Sequence, residues 1–174
     1  MNHILSQTHN LDSIIQELQT KLYSYLVDSW GTDKIDAYGR VYKNERGGKT
    51  IPEVYDSSLK GYKEVFYNGQ SCFFFVDEDK HPCDDQDHEF TTGVKICFML
   101  NLYDIKTSTE RADEDVKTDV IRFFRDNDFH YDLKGYEKGI DNVFREFDTS
   151  KLNENDIHPL HVFAVETDFS YSVI

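Results

Sequence analysis

The segment from His81 to Glu89 holds the densest group of potential metal ligands in the sequence, in the order His-Pro-Cys-Asp-Asp-Gln-Asp-His-Glu. Thiolate, imidazole and carboxylate groups can all donate to one cation, so this segment is the first candidate for a metal site. Its spacing matches no zinc pattern, and the same composition is typical of an acidic, solvated loop. We favour an exposed loop between two strands, spanning Asp77 to Glu89, with metal binding as the alternative.

His158 and His161 form a second pair of potential ligands. Residues three apart on a β-strand point to opposite faces, so this spacing argues against a shared cation. We therefore predict no metal ligands and no cofactor.

Catalytic patterns are equally sparse. The sequence has no Gly-x-Ser-x-Gly run that would place a nucleophilic serine on a sharp turn. Gly47-Gly48-Lys49-Thr50 resembles the end of a phosphate-binding loop, but Lys43 stands where its first glycine is required, so the pattern predicts a turn. Glu166 and Asp168 could pair for acid–base work, yet their spacing is more typical of a solvent or subunit face. We predict no catalytic residues and no enzymatic activity.

The length and composition indicate the size of the domain and the make-up of its core. The chain has 174 residues, of which 39% are hydrophobic and 14% aromatic. This length suits one domain, predicted over residues 1–174, with a core built largely from aromatic rings.

The charge is strongly acidic, with 33 acidic and 19 basic residues and a formal net charge of -14. Such a chain repels nucleic acid phosphates and anionic lipid at long range. The one basic cluster, Lys43, Arg46 and Lys49 around Gly47-Gly48, is interpreted as a solvated hairpin tip. Sequence-specific nucleic acid binding and membrane binding are therefore not expected.

The cysteines and the first residues indicate a compartment. Cys72, Cys83 and Cys97 are an odd number at irregular spacing, and two of them lie in apolar runs, which favours a reducing environment. The segment Met1-Asn2-His3-Ile4 lacks the basic and apolar regions of a leader, and no segment reaches the roughly 18 to 20 apolar residues that a bilayer span needs. We expect synthesis in the cytoplasm.

Periodicity predicts three helices. Apolar residues from Leu11 to Leu26 follow helical spacing, with Asn10 as N-cap and Gly31 as terminator. A second helix is predicted from Glu110 to Phe124, where Thr107 and Glu110 have capping-box spacing. A short third helix is predicted from Tyr136 to Phe147, although Gly139 weakens it.

Between and after these helices, alternation predicts strands. The longest runs from Phe90 to Ile105, with Val94, Ile96, Phe98, Leu100 and Leu102 on one face, and the last runs from Leu160 to Val173. Gly47-Gly48 predicts a hairpin turn. The fold class is α+β: a mostly antiparallel sheet with long hairpins, an N-terminal amphipathic helix and one or two further helices on the sheet.

Three residue runs carry a resemblance: Tyr38-Gly39-Arg40-Val41-Tyr42-Lys43, Ile51-Pro52-Glu53-Val54-Tyr55 and Tyr62-Lys63-Glu64-Val65. Together with the order of helices, hairpins and terminal strand, they resemble small structural proteins of tailed bacteriophages, the tail-terminator and tail-completion proteins, including those of crAss-like phages of Bacteroidales. The resemblance covers the middle of the chain best, and its motifs are structural.

This resemblance implies a virion subunit that forms a homo-oligomeric ring in the phage neck or tail and stacks on neighbouring ring proteins. DNA would pass through an acidic lumen, where repulsion of phosphates keeps the genome from adhering. The Asp77 to Glu89 loop and the Gly47-Gly48 tip would lie at subunit contacts.

Two other functions remain open from the residues alone. The aromatic-rich sheet would equally suit a small adaptor or inhibitor that binds one protein partner. A hydrolase or metal-dependent enzyme that uses the His81 to Glu89 loop is the third possibility.

Overall fold

The computed structural model describes residues 1–66, 70–106, 110–127, 132–152 and 157–173. Within these ranges the chain has an α+β fold with a mixed five-stranded sheet, an antiparallel three-stranded sheet and helices against the larger sheet. The predicted fold class is therefore confirmed. The elements in chain order are α1 (Leu11–Trp30), β1 (Asp36–Arg40), β2 (Tyr42–Arg46), β3 (Lys49–Asp56), β4 (Gly61–Glu64), β5 (Cys72–Asp77), β6 (Glu89–Asn101), α2 (Leu102–Ile105), α3 (Ala112–Asp126), β7 (Leu133–Lys138), α4 (Ile140–Val143) and β8 (Leu160–Ser172).

The first helix forms where the apolar stripe predicted it, and it buries that stripe against the large sheet. Gly31 ends it in the left-handed conformation with φ 64°, and its N–H donates to the Val27 carbonyl at 2.9 Å. Asn10 occupies the predicted N-cap position, but its side chain makes no capping hydrogen bond. None of the helices in the described ranges is long and apolar enough to cross a bilayer.

The large sheet has the strand order β1-β5-β6-β8-β7. Strands β5, β6, β8 and β7 pair antiparallel, and β1 lies parallel to β5 at one edge. β6 and β8 form the longest pairing, from Glu89 opposite Ser172 to Asn101 opposite Leu160. The predicted terminal strand is thus confirmed to within one residue.

Both faces of this sheet are covered, because alternate residues of its central strands point into two separate cores. The first core, under α1 and α3, receives the predicted inward face of β6 together with Phe73 and Phe75. The second core, under α4 and the small sheet, receives Phe74, Cys97 and Met99. The opposite face of β6 is therefore also buried around Cys97.

The small sheet consists of β2, β3 and β4 in sequence order. The predicted turn between its first two strands is confirmed, with Gly47 and Gly48 both at positive φ, 59° and 78°. Val41 joins this sheet to β1, and its N–H donates to the Phe75 carbonyl at 2.9 Å. Val54 of β3 packs in the second core.

The strand predicted from Phe90 to Ile105 was too long at its end. It stops at Asn101, whose side-chain oxygen accepts from the Tyr103 N–H at 3.1 Å and caps the one-turn helix α2. Leu102 and Ile105 still reach the first core from this helix. Apolar residues here fit a strand or a helix equally well, and the Asn101 cap favours the helix.

The helix predicted from Glu110 to Phe124 is confirmed with its bounds shifted to Ala112–Asp126. Val116, Val120, Phe123 and Phe124 are buried. The predicted capping role of Thr107 lies outside the described residues.

The helix predicted from Tyr136 to Phe147 was wrong in its first part. Residues Leu133–Lys138 form strand β7 against β8, with Tyr136 opposite Val165. Gly139, at φ 93°, then turns the chain into the short helix α4. Phe144 and Phe147 still pack in the second core, so an apolar spacing that fits a helix is satisfied here by a strand, a turn and one helical turn.

The two edges of the large sheet differ. At the β1 edge, the N-terminal segment covers Ala37: its N–H donates to the Met1 carbonyl, and its carbonyl accepts from the His3 N–H, both at 2.9 Å. At the opposite edge, β7 pairs with β8 on one side, and no other described strand pairs with its outer side.

Candidate functional site: an exposed tyrosine surface and an open strand edge

The predicted loop connects β5 to β6 over residues 78–88, and its predicted end residues Asp77 and Glu89 belong to the two strands. Nδ1 of His81 is hydrogen-bonded to the Tyr171 hydroxyl at 2.6 Å, and Nε2 lies 3.0 Å from Asp77 Oδ2. These contacts hold the loop against β8. In the part of the chain that the structure describes, no group of three or more His, Cys, Asp or Glu side chains is arranged to hold a metal ion.

The two histidines considered as a second ligand pair have separate environments. His158 precedes β8 and makes an edge-on contact with the Tyr103 ring, at 5.1 Å between centroids. His161 lies on β8 and stacks on Phe163, at 5.3 Å between centroids. β8 begins at Leu160, as predicted, so His158 lies outside the strand and the argument from alternating strand faces does not apply to this pair.

Two of the three cysteines are buried and one is exposed. Cys72 and Cys97 are buried in the second core, whereas Cys83 is exposed in the acidic loop. Burial, with a contribution from Asp36, raises the pKa of the Cys72 thiol to about 12. Burial likewise raises the pKa of Cys97. Both buried thiols are therefore protonated and serve as small apolar side chains.

The basic residues of the first hairpin are paired within the chain. Lys43 lies 3.0 Å from Asp79 and 2.9 Å from Glu146. Arg46 donates from Nη2 to Glu53 at 2.9 Å, and Lys49 lies 3.3 Å from Asp148. Each cation thus has a carboxylate partner, which leaves the tip little attraction for a phosphate backbone.

Glu166 and Asp168 also lie in different settings. Asp168 is exposed, with Lys134 at 3.6 Å. Glu166 lies beside Glu137 of β7, and burial together with the hydrogen bond between these two carboxyl groups raises the pKa of Glu166. Lys95, at 3.3 Å from Glu137, compensates part of the negative charge. This cluster ties β7 to the sheet and contains no nucleophile with an adjacent base.

Three tyrosines of the small sheet form an exposed aromatic surface, which we call the tyrosine surface: Tyr42, Tyr55 and Tyr62. Their exposed fractions are 57%, 43% and 49%. The strand register places Tyr55 opposite Tyr62 and puts Tyr42 on the same face. Ring centroids lie 5.5 Å apart for Tyr55 and Tyr62 and 5.6 Å apart for Tyr42 and Tyr62. Exposed, contiguous rings of this kind are typical of protein contact surfaces.

The aromatic runs are visible in the sequence, but the three tyrosines do not stand out there as a group. The signal was the alternation on either side of the Gly47-Gly48 turn, which fixes the faces once the register is known. The partner strand β4 could not be aligned from spacing alone.

The second exposed feature is the outer side of β7. The Gly139 N–H donates to the Val162 carbonyl at 2.9 Å, and the register pairs Lys138 with Phe163. Hydrogen-bonded and non-hydrogen-bonded pairs alternate along an antiparallel ladder, so the backbone N–H groups of Tyr136 and Lys138 point away from β8. An edge with outward donors can accept a further strand.

Comparison with known proteins adds no relative: no family model matches the chain, and a search of curated proteins finds no similar protein.

Proposed function

We propose that this protein is a structural subunit that assembles into an oligomeric ring in the neck or tail of a tailed bacteriophage. The phage context rests on the resemblance of the runs around Tyr38, Ile51 and Tyr62. The ring rests on the surfaces described above.

The observation that carries the ring is the placement of the open surfaces. The large sheet ends in β7 on one side, and the small sheet follows β1, which lies at the opposite edge. A contact between two different surfaces of identical subunits continues from copy to copy, and it closes into a ring when the rotation permits. Strand addition at β7 supplies backbone hydrogen bonds for such a contact.

The tyrosine surface supports the same arrangement. Tyrosine rings bring large apolar area and a polar tip, and they are enriched where protein surfaces meet. Their exposure in the single chain is explained if a neighbouring subunit covers them.

The acidic charge fits a channel for DNA. With a formal net charge of -14 on each chain, a ring accumulates a large negative potential. Phosphates are repelled from such a lumen, so the genome passes without adhering.

Light scattering across concentration, with negative-stain images of the same sample, tests the assembly. We expect annular particles that form in a concentration-dependent manner. Lys138→Pro removes an outward backbone donor and leaves the hydrogen bonds to β8 in place, so it should abolish the annuli without unfolding the chain.

Lys138→Ala is the matched control, because it removes the same charge and keeps the N–H group. It should assemble like the natural chain. A chain that stays monomeric at every concentration, or a Lys138→Pro variant that assembles normally, contradicts the proposal.

A protein-binding adaptor is the second candidate, since the tyrosine surface suits a different partner as well as a second copy. The two functions differ in stoichiometry: an adaptor remains a monomer or dimer and forms a discrete complex, whereas a ring subunit forms closed oligomers of itself.

A further inference from the structure

The small sheet ends in a second open strand edge, the outer side of β4. This strand pairs with β3, and no other described strand pairs with its outer side. The Val65 N–H donates to the Pro52 carbonyl at 3.1 Å, one step beyond the pairing of Glu64 with Glu53. Hydrogen-bonded and non-hydrogen-bonded pairs alternate along an antiparallel ladder, so the backbone groups of Tyr62 and Glu64 point away from β3.

The outer side of β7 has the same pattern. Tyr136 and Lys138 are the residues whose backbone groups point away from β8. The Lys138 carbonyl accepts from the exposed Asn142 side chain at 3.0 Å, a local bond that a backbone donor can replace. The other outward groups of the two residues have no hydrogen-bond partner in the described ranges. Each edge therefore presents two residues, spaced two apart, that can extend a ladder.

One antiparallel register between two copies uses all of these groups. When Tyr62 lies opposite Lys138 of a second copy, Glu64 lies opposite Tyr136 of that copy. Both are hydrogen-bonded pairs, and each residue exchanges an N–H and a carbonyl with its partner. Opposite residues share a face of the sheet, so the ring of Tyr136, itself 37% exposed, lies diagonally beside Tyr62 and extends the tyrosine surface.

The charges favour this contact over the pairing of two identical edges. In the mixed pairing, Lys138 of one copy lies diagonally beside Glu64 of the other, within reach of long side chains. Two β7 strands paired in the same way would bring the two Lys138 side chains together, and two β4 strands would do so for Glu64. Like charges at this distance repel, so identical edges pair less well than different ones.

Both charged groups are available for the contact. Lys138 is exposed and forms no ion pair with any described residue. Glu64 lies 2.5 Å from Lys151, and a carboxylate has lone pairs for a second cation.

The other edge of the small sheet, β2, is a poorer match for β7. The two-residue turn after β2 closes on a hydrogen-bonded pair, so alternation makes Lys43 and Glu45 the residues with outward backbone groups. In the equivalent register, Lys43 would lie directly opposite Lys138. Like charges in direct opposition destabilise a strand pair, which leaves β4 as the better partner.

We propose that β4 of one subunit pairs antiparallel with β7 of the next, so that three strands of one copy and five of its neighbour form one continuous sheet. This inference rests on the proposed ring, and it identifies the two surfaces of the subunit contact. Because the two edges are different, each added subunit leaves a new edge open until the last β7 meets the first β4 and the ring closes.

Disulfide trapping in the full chain tests the contact. Cys83→Ser removes the exposed thiol, and Glu64→Cys and Tyr136→Cys are then introduced into separate chains. The Cα atoms of a hydrogen-bonded antiparallel pair lie about 5.5 Å apart, a distance that a disulfide spans. After the chains are mixed and oxidised with glutathione disulfide, the mixed disulfide should exceed each homodisulfide at least about tenfold by mass spectrometry.

Tyr103→Cys is the matched control for Tyr136→Cys, because Tyr103 is an exposed tyrosine on α2 and belongs to neither edge. It should give no excess of mixed disulfide with Glu64→Cys. If Tyr136→Cys lowers the melting temperature, Tyr62→Cys mixed with Lys138→Cys tests the same register at its other hydrogen-bonded pair.

The outcomes separate this contact from the ring itself. Annular particles without an excess of mixed disulfide in either pair overturn the pairing of β4 with β7 and leave the ring standing. A mixed disulfide between subunits that form no annular particles supports the pairing and contradicts the ring. The loss of both results contradicts both proposals.

Discussion

The strand β5 and the small sheet use aromatic residues in opposite ways. Phe73, Phe74 and Phe75 are fully buried in the large sheet and point alternately into its two cores. Tyr42, Tyr55 and Tyr62 remain between 43% and 57% exposed on the small sheet. Both groups make ring contacts at similar distances, such as 5.4 Å for Phe73 with Phe98 and 5.5 Å for Tyr55 with Tyr62.

The difference follows from the position of each strand and from the tyrosine hydroxyl. A strand covered on both faces by helices and a second sheet has no place for a polar atom without a partner, so it takes phenylalanine. A three-stranded sheet covered on one face leaves its other face to solvent or to a partner, and tyrosine suits both. The large sheet thus buries its rings in the two cores, whereas the small sheet leaves its tyrosines free for the subunit contact that we propose.

Thiol reactivity should show the largest contrast between interior and surface. In the native protein, Cys83 should react with a thiol reagent within minutes, whereas Cys72 and Cys97 should react more than about a thousandfold more slowly. Exposure of the buried pair requires unfolding, which costs about 5 kcal/mol or more in a typical domain. Labelling followed by mass spectrometry of peptides measures the three rates.

The reaction in denaturant is the control, where all three thiols should react at similar rates. Rapid native labelling of Cys97 would show that the second core opens readily, and it would remove the distinction between the two sheets.

Truncation of a buried ring should have the next largest effect. Phe74 is fully buried and contacts the rings of Phe66 and Phe144 at 6.5 and 5.9 Å between centroids. Phe74→Ala leaves a cavity between β5 and α4, so it should lower the free energy of unfolding by about 3 to 5 kcal/mol. Urea denaturation measures the change.

Tyr55→Ala on the small sheet is the comparison. It removes a ring of similar size from a half-exposed position, so it should cost about 1 kcal/mol or less in stability. Equal losses from the two variants would mean that the small sheet contributes to the core as much as β5 does.

The pH dependence at the β7 edge should be the smallest effect. Burial and Glu137 raise the pKa of Glu166 above its ordinary value of 4.5, so the folded chain holds a proton that the unfolded chain releases. Stability from this group is therefore present below pH 4.5 and is lost as the pH rises through the folded pKa. Glu166→Gln removes that loss, so its unfolding free energy should exceed that of the natural chain at pH 7.

The difference should disappear as the pH approaches 4. Asp168→Asn, two residues along β8 and exposed, should show no comparable dependence. A Glu166→Gln variant that is less stable at pH 7 would indicate that the carboxylate acts through Lys95 and Arg145 as a net stabiliser.

The predictions were most accurate where the spacing of the apolar residues was compatible with only one type of secondary structure. The stripe from Leu11 to Leu26 could only be an amphipathic helix, and the alternation in β8 could only be a strand. It failed between Tyr136 and Phe147, because rings spaced three and four apart also fit a strand, a glycine turn and a single helical turn around one core. In this segment the helical spacing of apolar residues identified buried positions but did not identify the secondary structure.

Among the candidate sites, only those formed by neighbouring residues could be predicted from the sequence. The acidic loop, the hairpin tip and the absence of a nucleophile motif are local properties, and they could be inferred from neighbouring residues. A cavity of about 240 Å³ beside Gln19 could not, since it joins α1, β1 and the small sheet across long stretches of chain. No pattern in the sequence distinguishes Gln19 from Gln16, the other glutamine of α1.

The amino-acid sequence by itself determined the α+β class, the apolar stripe of α1, one apolar face of β6, the strand β8 and the acidic charge, because each depends on composition or on spacing within one segment. Only the tertiary structure decided that β4 and β7 are open edges and that three tyrosines from separate strands share one face. These features depend on strand order and register, which are set by the packing of distant segments against the two cores.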